Sequence, residues 1–141
     1  MSTWTRAEAE TAFGRVHRAR RRATLLCKIK SLGRCNGALT VHEIPRSGGK
    51  RAERREIPLQ AITGTLEPNR TAHFDGGFRP ARQARCRWQR IWMAEHRGTV
   101  LPPISVVEVC RGFYAVRDGH HRVSVAFARG AATIDAIVAA G

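Results

Sequence analysis

The stretch Val116-Arg117-Asp118-Gly119-His120-His121-Arg122-Val123 decides the fold of this chain. It lies between an apolar, β-branched run and a short amphipathic run, and this order predicts a strand, a tight polar turn and a helix. Such a turn places the backbone N–H groups of a helix N-terminus beside an arginine, which is a common way of holding phosphate. The stretch therefore predicts a phosphate-binding turn, with the residues from Glu56 onward as its scaffold.

The composition indicates one domain with an appendage and a polyanionic partner. The chain has 141 residues, of which 43% are hydrophobic, and its net charge is +14. Residues 1–55 hold 14 Arg and Lys against 4 Asp and Glu, whereas residues 56–141 hold 11 against 7. Such a charge favours nucleic acid first and an acidic membrane surface second. A general bias toward arginine is the alternative, because only Lys28, Lys30 and Lys50 are lysines.

Several classes of protein are not expected. The four cysteines form no CxxC pair and no cysteine–histidine cluster with zinc spacing, so no metal site is predicted and the thiols should be reduced and partly buried. They are Cys27, Cys35, Cys86 and Cys110. The sequence has no apolar run long enough to cross a membrane and no signal-peptide core. We therefore expect a cytoplasmic protein without a membrane partner.

Residues 1–55 are predicted to form a basic helical extension and a flexible linker. Apolar residues recur at threes and fours from Ala9 to Leu26, which predicts a helix from Ser2 or Thr3 to about Lys30. Its arginines can lie on DNA phosphates, or the helix can pack on its own domain or on a second subunit, as in a homodimer. The candidate DNA-binding residues are Arg15, Arg18, Arg21 and Arg22. The Gly- and Ser-rich segment 47–51 predicts a flexible basic loop.

Residues 56–141 are predicted to form the compact domain. The pattern gives strands at 57–62, 104–109, 113–116 and 133–138, with helices from Pro80 to about Arg97 and over 121–129. A loop covers 66–77. The apolar side of the first of these helices carries Trp88, Ile91 and Trp92. The two tryptophans can either pack in the core or stack on a base.

This order of elements resembles the ParB/sulfiredoxin-like fold, which includes the N-terminal domain of ParB chromosome-partitioning proteins. The resemblance covers about residues 56–139 and is most specific over Tyr114–Gly130, YAVRDGHHRVSVAFARG. Pro103-Ile104 matches the entry to a family strand, and Pro68-Asn69-Arg70 resembles the loop after the first strand. The resemblance implies an α+β fold in which helices pack on a small mixed sheet. In this chain the basic N-terminal helix precedes that fold. No helix-turn-helix sequence follows, so a small stand-alone member is expected.

The resemblance also implies a nucleotide site. In the family a Gly-x-x-Arg turn opens the helix and holds nucleotide phosphates, which implies CTP or ATP with Mg²⁺ as the ligand here. The candidate phosphate-binding residues are Gly119, His120, His121, Arg122, Arg117 and Arg70. Asp118 is the candidate catalytic residue, either holding Mg²⁺ with the phosphates or acting as a general base.

Each of these residues has a structural alternative. Asp118 can cap the helix, and Arg122 can form an ion pair with Asp118 or Asp135. His121 can bond to backbone, and His120 can be merely exposed. His120 also stands where sulfiredoxins carry cysteine, and His120-His121 replace the Glu-Arg of ParB proteins, so neither sulfinic-acid repair nor CTP-driven clamp closure is implied.

The sequence thus gives three hypotheses of function. The first is a nucleotide-binding, regulatory protein that associates with DNA through its basic N-terminal part. The second is a small-molecule phosphotransferase with Asp118 as the base. The third is a DNA-binding protein without nucleotide chemistry. The sequence leaves open whether the protein is an enzyme; the two enzyme classes that fit are a weak NTPase and a phosphotransferase.

Overall fold

A computed structural model describes residues 3–29, 37–44 and 51–140, and they form an α+β fold. The elements are α1 Thr3–Ile29, β1 Glu53–Pro58, β2 Ile62–Thr65, α2 Arg85–His96, β3 Ile104–Cys110, β4 Phe113–Asp118, α3 His120–Ala128 and β5 Thr133–Ala140. Short 3₁₀ helices cover Leu59–Ala61, Pro68–Ala72 and Arg82–Ala84. The predicted helices and strands before and after the signature turn are confirmed, with β4 extending two residues further than expected.

The five strands form one mixed sheet in the order β1-β5-β3-β4-β2. The pairs β1–β5 and β3–β4 are antiparallel, whereas β3–β5 and β2–β4 are parallel. α3 connects β4 to β5, which lies two positions away on the other side of β3. The signature turn is therefore held at the end of a central strand, next to β3.

The single strand predicted at 57–62 is wrong, because this segment supplies two strands at opposite edges of the sheet. β1 ends at Pro58, the 3₁₀ turn Leu59–Ala61 crosses over, and β2 begins at Ile62. Gly64 lies within β2 and does not end it. Ile57, Leu59 and Ile62 are all buried, so the apolar run is continuous although the backbone direction changes. Apolar spacing alone carries no mark of that change.

The helix predicted from Pro80 begins later, at Arg85. The preceding residues are tied to the loop before them, since the N–H of Ala81 donates to His73 O at 2.7 Å. Ala81 and Ala84 are buried by this arrangement. The helix ends at His96, and Gly98 follows with a φ of +79°, as expected of a residue just past a helix end.

Two apolar clusters hold the fold together. The larger one lies between the sheet and α3 and includes Phe74, Ile104, Val116 and Val123. The smaller one joins all three helices and is built from Ala12, Phe13, Trp88 and Val125. The predicted N-terminal helix thus packs on α2 of its own chain. Trp88 is fully buried and belongs to the core, whereas Trp92 is half-buried.

The segment between α1 and β1 is described only in part. Residues 37–44 touch the sheet through a bridge between Val41 and Thr65, while the predicted basic loop at 47–51 lies outside the described residues except for Arg51. β1 begins at Glu53, three residues before the predicted domain boundary. The division of the chain into 1–55 and 56–141 stays a prediction.

Two further expectations concern the burial of the cysteines and the absence of a membrane-spanning segment. Cys86 and Cys110 are free but exposed, so the prediction of partly buried thiols is wrong for both. Cys35 and the side chain of Cys27 lie outside the described part. Over the ranges that the structure covers, no helix has the length and apolar character needed to span a bilayer.

Candidate functional site

The turn between β4 and α3 strongly favours glycine. Gly119 has a φ of +106°, and a Cβ added there would lie 2.5 Å from Cγ2 of Ile104 and 3.0 Å from Nη2 of Arg122. A side chain would therefore meet both backbone strain and a steric clash. The close packing brings the start of α3 directly against β3.

The N-terminus of α3 carries unused hydrogen-bond donors. Gly119 is the N-cap residue and makes no side-chain cap, so the alternative role of Asp118 as a helix cap is wrong. The first intrahelical bond runs from Val123 N–H to Gly119 O at 3.0 Å. The N–H groups of His120, His121 and Arg122 precede it and have no partner within the helix. They give the helix end a positive partial charge.

This helix end opens into a cavity of about 270 Å³. Its lining residues come from the 3₁₀ helix at 68–72, from α2 and from the signature turn. They are Arg70, Arg87, Ile91, Asp118, Gly119, His120, His121 and Arg122. Three guanidinium groups face one carboxylate, so the cavity is positively charged. The structure brings together six of the predicted residues, counting Asp118.

Two residues differ from the expected set. Arg117 is exposed and does not line the cavity, because side chains alternate along a strand and that of Asp118 takes the cavity side. The structure therefore does not bring Arg117 to the other predicted phosphate-binding residues. Arg87, one residue before Trp88 on α2, lines the cavity but was not predicted. It is one of four arginines in residues 82–90, and no spacing distinguishes it from the others.

Arg122 has structural contacts as well as a place in the cavity. Its Nη1 donates to Pro102 O at 2.6 Å and to Pro103 O at 3.1 Å, which fastens the loop before β3. Its Nη2 lies 3.4 Å from Oδ2 of Asp118, so the alternative ion pair with Asp118 is present. Asp135 instead pairs with Arg54. The Asp118 side chain is 78% exposed, at the mouth of the cavity.

His120 is buried, which corrects the interpretation that it is merely exposed. Its Nε2 shares a hydrogen bond of 2.6 Å with Oγ1 of Thr65, and that hydroxyl also accepts from the Glu67 N–H at 2.9 Å. Burial, and then the positive charge of Arg70, lowers the pKa of His120 to about 4. The ring is thus fixed in place and neutral at pH 7.

His121 is buried beside it against an aromatic ring. Its imidazole meets the Phe74 ring edge to face, with ring centroids 5.0 Å apart. Burial, and then the charges of Arg87 and Arg70, lowers the pKa of His121 to about 4. The positive charge of the cavity near pH 7 therefore comes from its arginines and the helix end, not from the histidines.

We expect the protein to lose stability as the pH falls from about 6.5 toward 4. An unfolded imidazole takes up a proton near pH 6.5, whereas His120 and His121 stay neutral in the fold until about pH 4. The unfolded state binds more protons in this window, so the free energy of unfolding decreases, by roughly 2 kcal/mol for each ring between about pH 7 and about pH 5. Urea unfolding at about pH 7 and about pH 5 measures it.

The variant His120→Gln should reduce this dependence by about half, because His121 keeps its own contribution. A wild-type protein whose free energy of unfolding stays constant between these pH values would contradict the prediction.

The four arginines proposed to contact DNA lie elsewhere, on α1. Arg15, Arg18, Arg21 and Arg22 are all exposed, and no residue of α1 lines the cavity. Residues three or four apart share a helix face, so Arg15, Arg18 and Arg22 form one row and Arg21 lies beside it. The two sets of predicted residues are therefore two separate surfaces.

The comparisons with known proteins concern the fold alone. No protein-family model matches the chain, and no curated protein does. Among solved structures, the chain is similar to sulfiredoxin from Arabidopsis thaliana, with 23% sequence identity and a TM-score of 0.44. The similarity covers 63% of this chain and 86% of the sulfiredoxin chain.

Proposed function

We propose that the protein binds a nucleotide, CTP or ATP, with its phosphates in the cavity at the N-terminus of α3. The observation that carries this proposal is the convergence of Arg70, Arg87 and Arg122 from three elements on an uncapped helix end. Guanidinium groups and helix N–H groups are the donors that proteins use for phosphate. A cavity of about 270 Å³ suits the phosphate part of a nucleotide, with the nucleoside outside it.

The same donor set fits a magnesium nucleotide. No group of three or more His, Cys, Asp or Glu side chains among the described residues could hold a metal ion alone. Mg²⁺ is commonly held by one or two carboxylates together with phosphate oxygens and water. Asp118, exposed at the mouth of the cavity, is the carboxylate that would hold it.

Nucleotide binding should weaken by about tenfold or more in Arg70→Ala. A hydrogen bond between charged groups contributes about 1.5–3 kcal/mol, and Arg70 makes no contact that holds the loop before β3. Isothermal titration of CTP, ATP and GTP, each with Mg²⁺ at low salt, measures the effect and identifies the base.

Arg117→Ala is the matched control. It also removes one arginine charge, but Arg117 is exposed on β4 and does not line the cavity. Failure of all three nucleotides to bind would refute the proposal. Equal weakening by Arg70→Ala and Arg117→Ala would show a general effect of charge rather than a site.

A phosphotransferase is the second candidate, and the exposed carboxylate of Asp118 favours it. That carboxylate lies beside the proposed phosphate site, where it can accept the proton of a hydroxyl that attacks the terminal phosphorus. A switch and a transferase differ in one respect. A transferase with Asp118 as its base should lose phosphate transfer and keep nucleotide binding in Asp118→Asn, whereas a carboxylate that only holds Mg²⁺ should give weaker binding of the magnesium nucleotide in the same variant.

We also propose that the protein associates with DNA through α1, with the nucleotide regulating this association. The exposed row of Arg15, Arg18 and Arg22 supports the contact, because a row of cations releases counterions from a phosphate backbone. α1 packs on α2, and α2 supplies Arg87 and Ile91 to the cavity. A ligand that moves α2 would therefore act on the helix that carries the row.

A further inference from the structure

A second cavity lies outside the candidate site. It is an open groove of about 670 Å³ between α1 and the C-terminal parts of α2 and α3, and it shares no lining residue with the first cavity. Its walls combine apolar, aromatic and positively charged groups with one carboxylate, that of Glu8. They include Trp4, Thr11, Arg15, Val16, Trp92 and Arg129.

One wall of this groove is a stack of flat side chains. The Trp92 ring lies against His96, with centroids 4.8 Å apart, and the Arg129 guanidinium lies 5.3 Å from the centre of the Trp92 ring. His96 also meets the carboxylate of Glu8 across the groove, at 3.1 Å. These contacts join α1, α2 and α3, so this wall is held firmly.

The other notable group is Trp4, at the start of α1. Its side chain is 80% exposed, although an indole is among the largest apolar side chains. Exposed aromatic rings in basic grooves are the platforms on which proteins stack unpaired bases.

The groove continues into the arginine row of α1. Trp4, Thr11, Arg15, Arg18 and Arg22 follow one another at helical spacing and share one face. This face is about 27 Å long between its first and last members, at 1.5 Å per residue. The Cβ atoms of neighbouring arginines in this row are about 5–6 Å apart, so the positive charges follow one another closely along the face.

We infer that this groove and arginine row bind a single strand of DNA, with an unpaired base stacked on Trp4 and the phosphates on Arg15, Arg18 and Arg22. The inference rests on the proposed association with DNA and is independent of nucleotide binding. Charge complementarity selects a polyanion, and the exposed indole selects unpaired bases. In a duplex the bases are stacked on one another and present only their edges.

The test is fluorescence anisotropy with a labelled oligothymidine of about 15 nucleotides and a duplex of the same length. The single strand should bind more tightly than the duplex. Trp4→Ala should weaken single-strand binding about fivefold or more, the effect of removing one stacked base, and leave duplex binding unchanged. Phe113→Ala, which removes a half-exposed aromatic ring elsewhere, should change neither.

A matched pair of charge reversals tests the phosphate contacts. Arg15→Glu should weaken single-strand binding more than Arg117→Glu, since Arg117 is exposed on β4, away from α1. Tighter binding of the duplex, or equal losses in Trp4→Ala and Phe113→Ala, would overturn the inference while leaving association with DNA intact. No binding of either probe would overturn both. A dimer in sedimentation that Trp4→Ala dissociates would assign the groove to a second copy of the chain.

Discussion

Replacing Gly119 by alanine should lower the free energy of unfolding by about 2–5 kcal/mol. A left-handed backbone costs a non-glycine residue about 1–2 kcal/mol, and overpacking costs about 1–3 kcal/mol more. Both apply here, because φ is +106° and the new Cβ would lie 2.5 Å from Cγ2 and 2.9 Å from Cβ of Ile104. Ile104, the first residue of β3, is buried in the core and cannot move aside easily.

Gly112→Ala and Gly98→Ala are the matched controls for this experiment. Both glycines have a φ of +79°, and neither has an atom within 4 Å of an added Cβ. They should show the backbone cost alone, about 1–2 kcal/mol. Urea unfolding followed by circular dichroism measures all three variants. A loss in Gly119→Ala no larger than in the controls would mean that the turn tolerates a side chain.

Trp88→Ala should lower the free energy of unfolding by about 3–5 kcal/mol, the usual cost of removing a buried large aromatic ring. Trp88 is fully buried, meets Phe13 of α1 edge to face at 5.6 Å, and donates its indole N–H to Ser124 Oγ at 2.9 Å. It is therefore one of the side chains through which α1, α2 and α3 contact one another. Its loss should release α1, and with it the arginine row, to limited proteolysis.

Trp88→Phe separates the hydrogen bond from the packing. It should cost about 1–3 kcal/mol, because it leaves the buried Ser124 hydroxyl without its donor, and Ser124→Ala in the same chain should restore part of the loss. Trp92→Ala is the control, since that ring is only half-buried. If Trp88→Ala were as stable as Trp92→Ala, the three-helix cluster would not be the attachment of α1.

The turn and its surroundings could be predicted from sequence because local residue types determine them. Gly119 readily takes the positive φ that this turn uses, and β-branched residues precede it. The approach of Arg70 could be predicted only through the family resemblance, since that residue lies far from the turn along the chain. Whether these residues bind phosphate is a prediction that the proposed titration tests.

The features that could not be predicted from the sequence depend on contacts between distant parts of the chain. Arg87 enters the cavity because Trp88 fixes the rotation of α2, and four arginines in that region look alike in sequence. The burial of His120 depends on its bond to Thr65, which β2 delivers. β2 could not be predicted as a separate strand, because the apolar run that contains it has the spacing of one strand. The 3₁₀ turn at Leu59–Ala61 divides that run in the structure.

The strand order also constrains how the molecule folds during synthesis. Among the strands that the structure describes, β1 pairs with β5 alone, and their partner residues are 75 to 85 positions apart in the chain. A ribosome releases β1 well before β5, so for that interval the edge strand has no neighbour to bond with. Contacts of such sequence separation close slowly. We expect the nascent chain to expose an unpaired β1 until residues 133–140 emerge, which makes that interval the one in which it is open to aggregation or to chaperones.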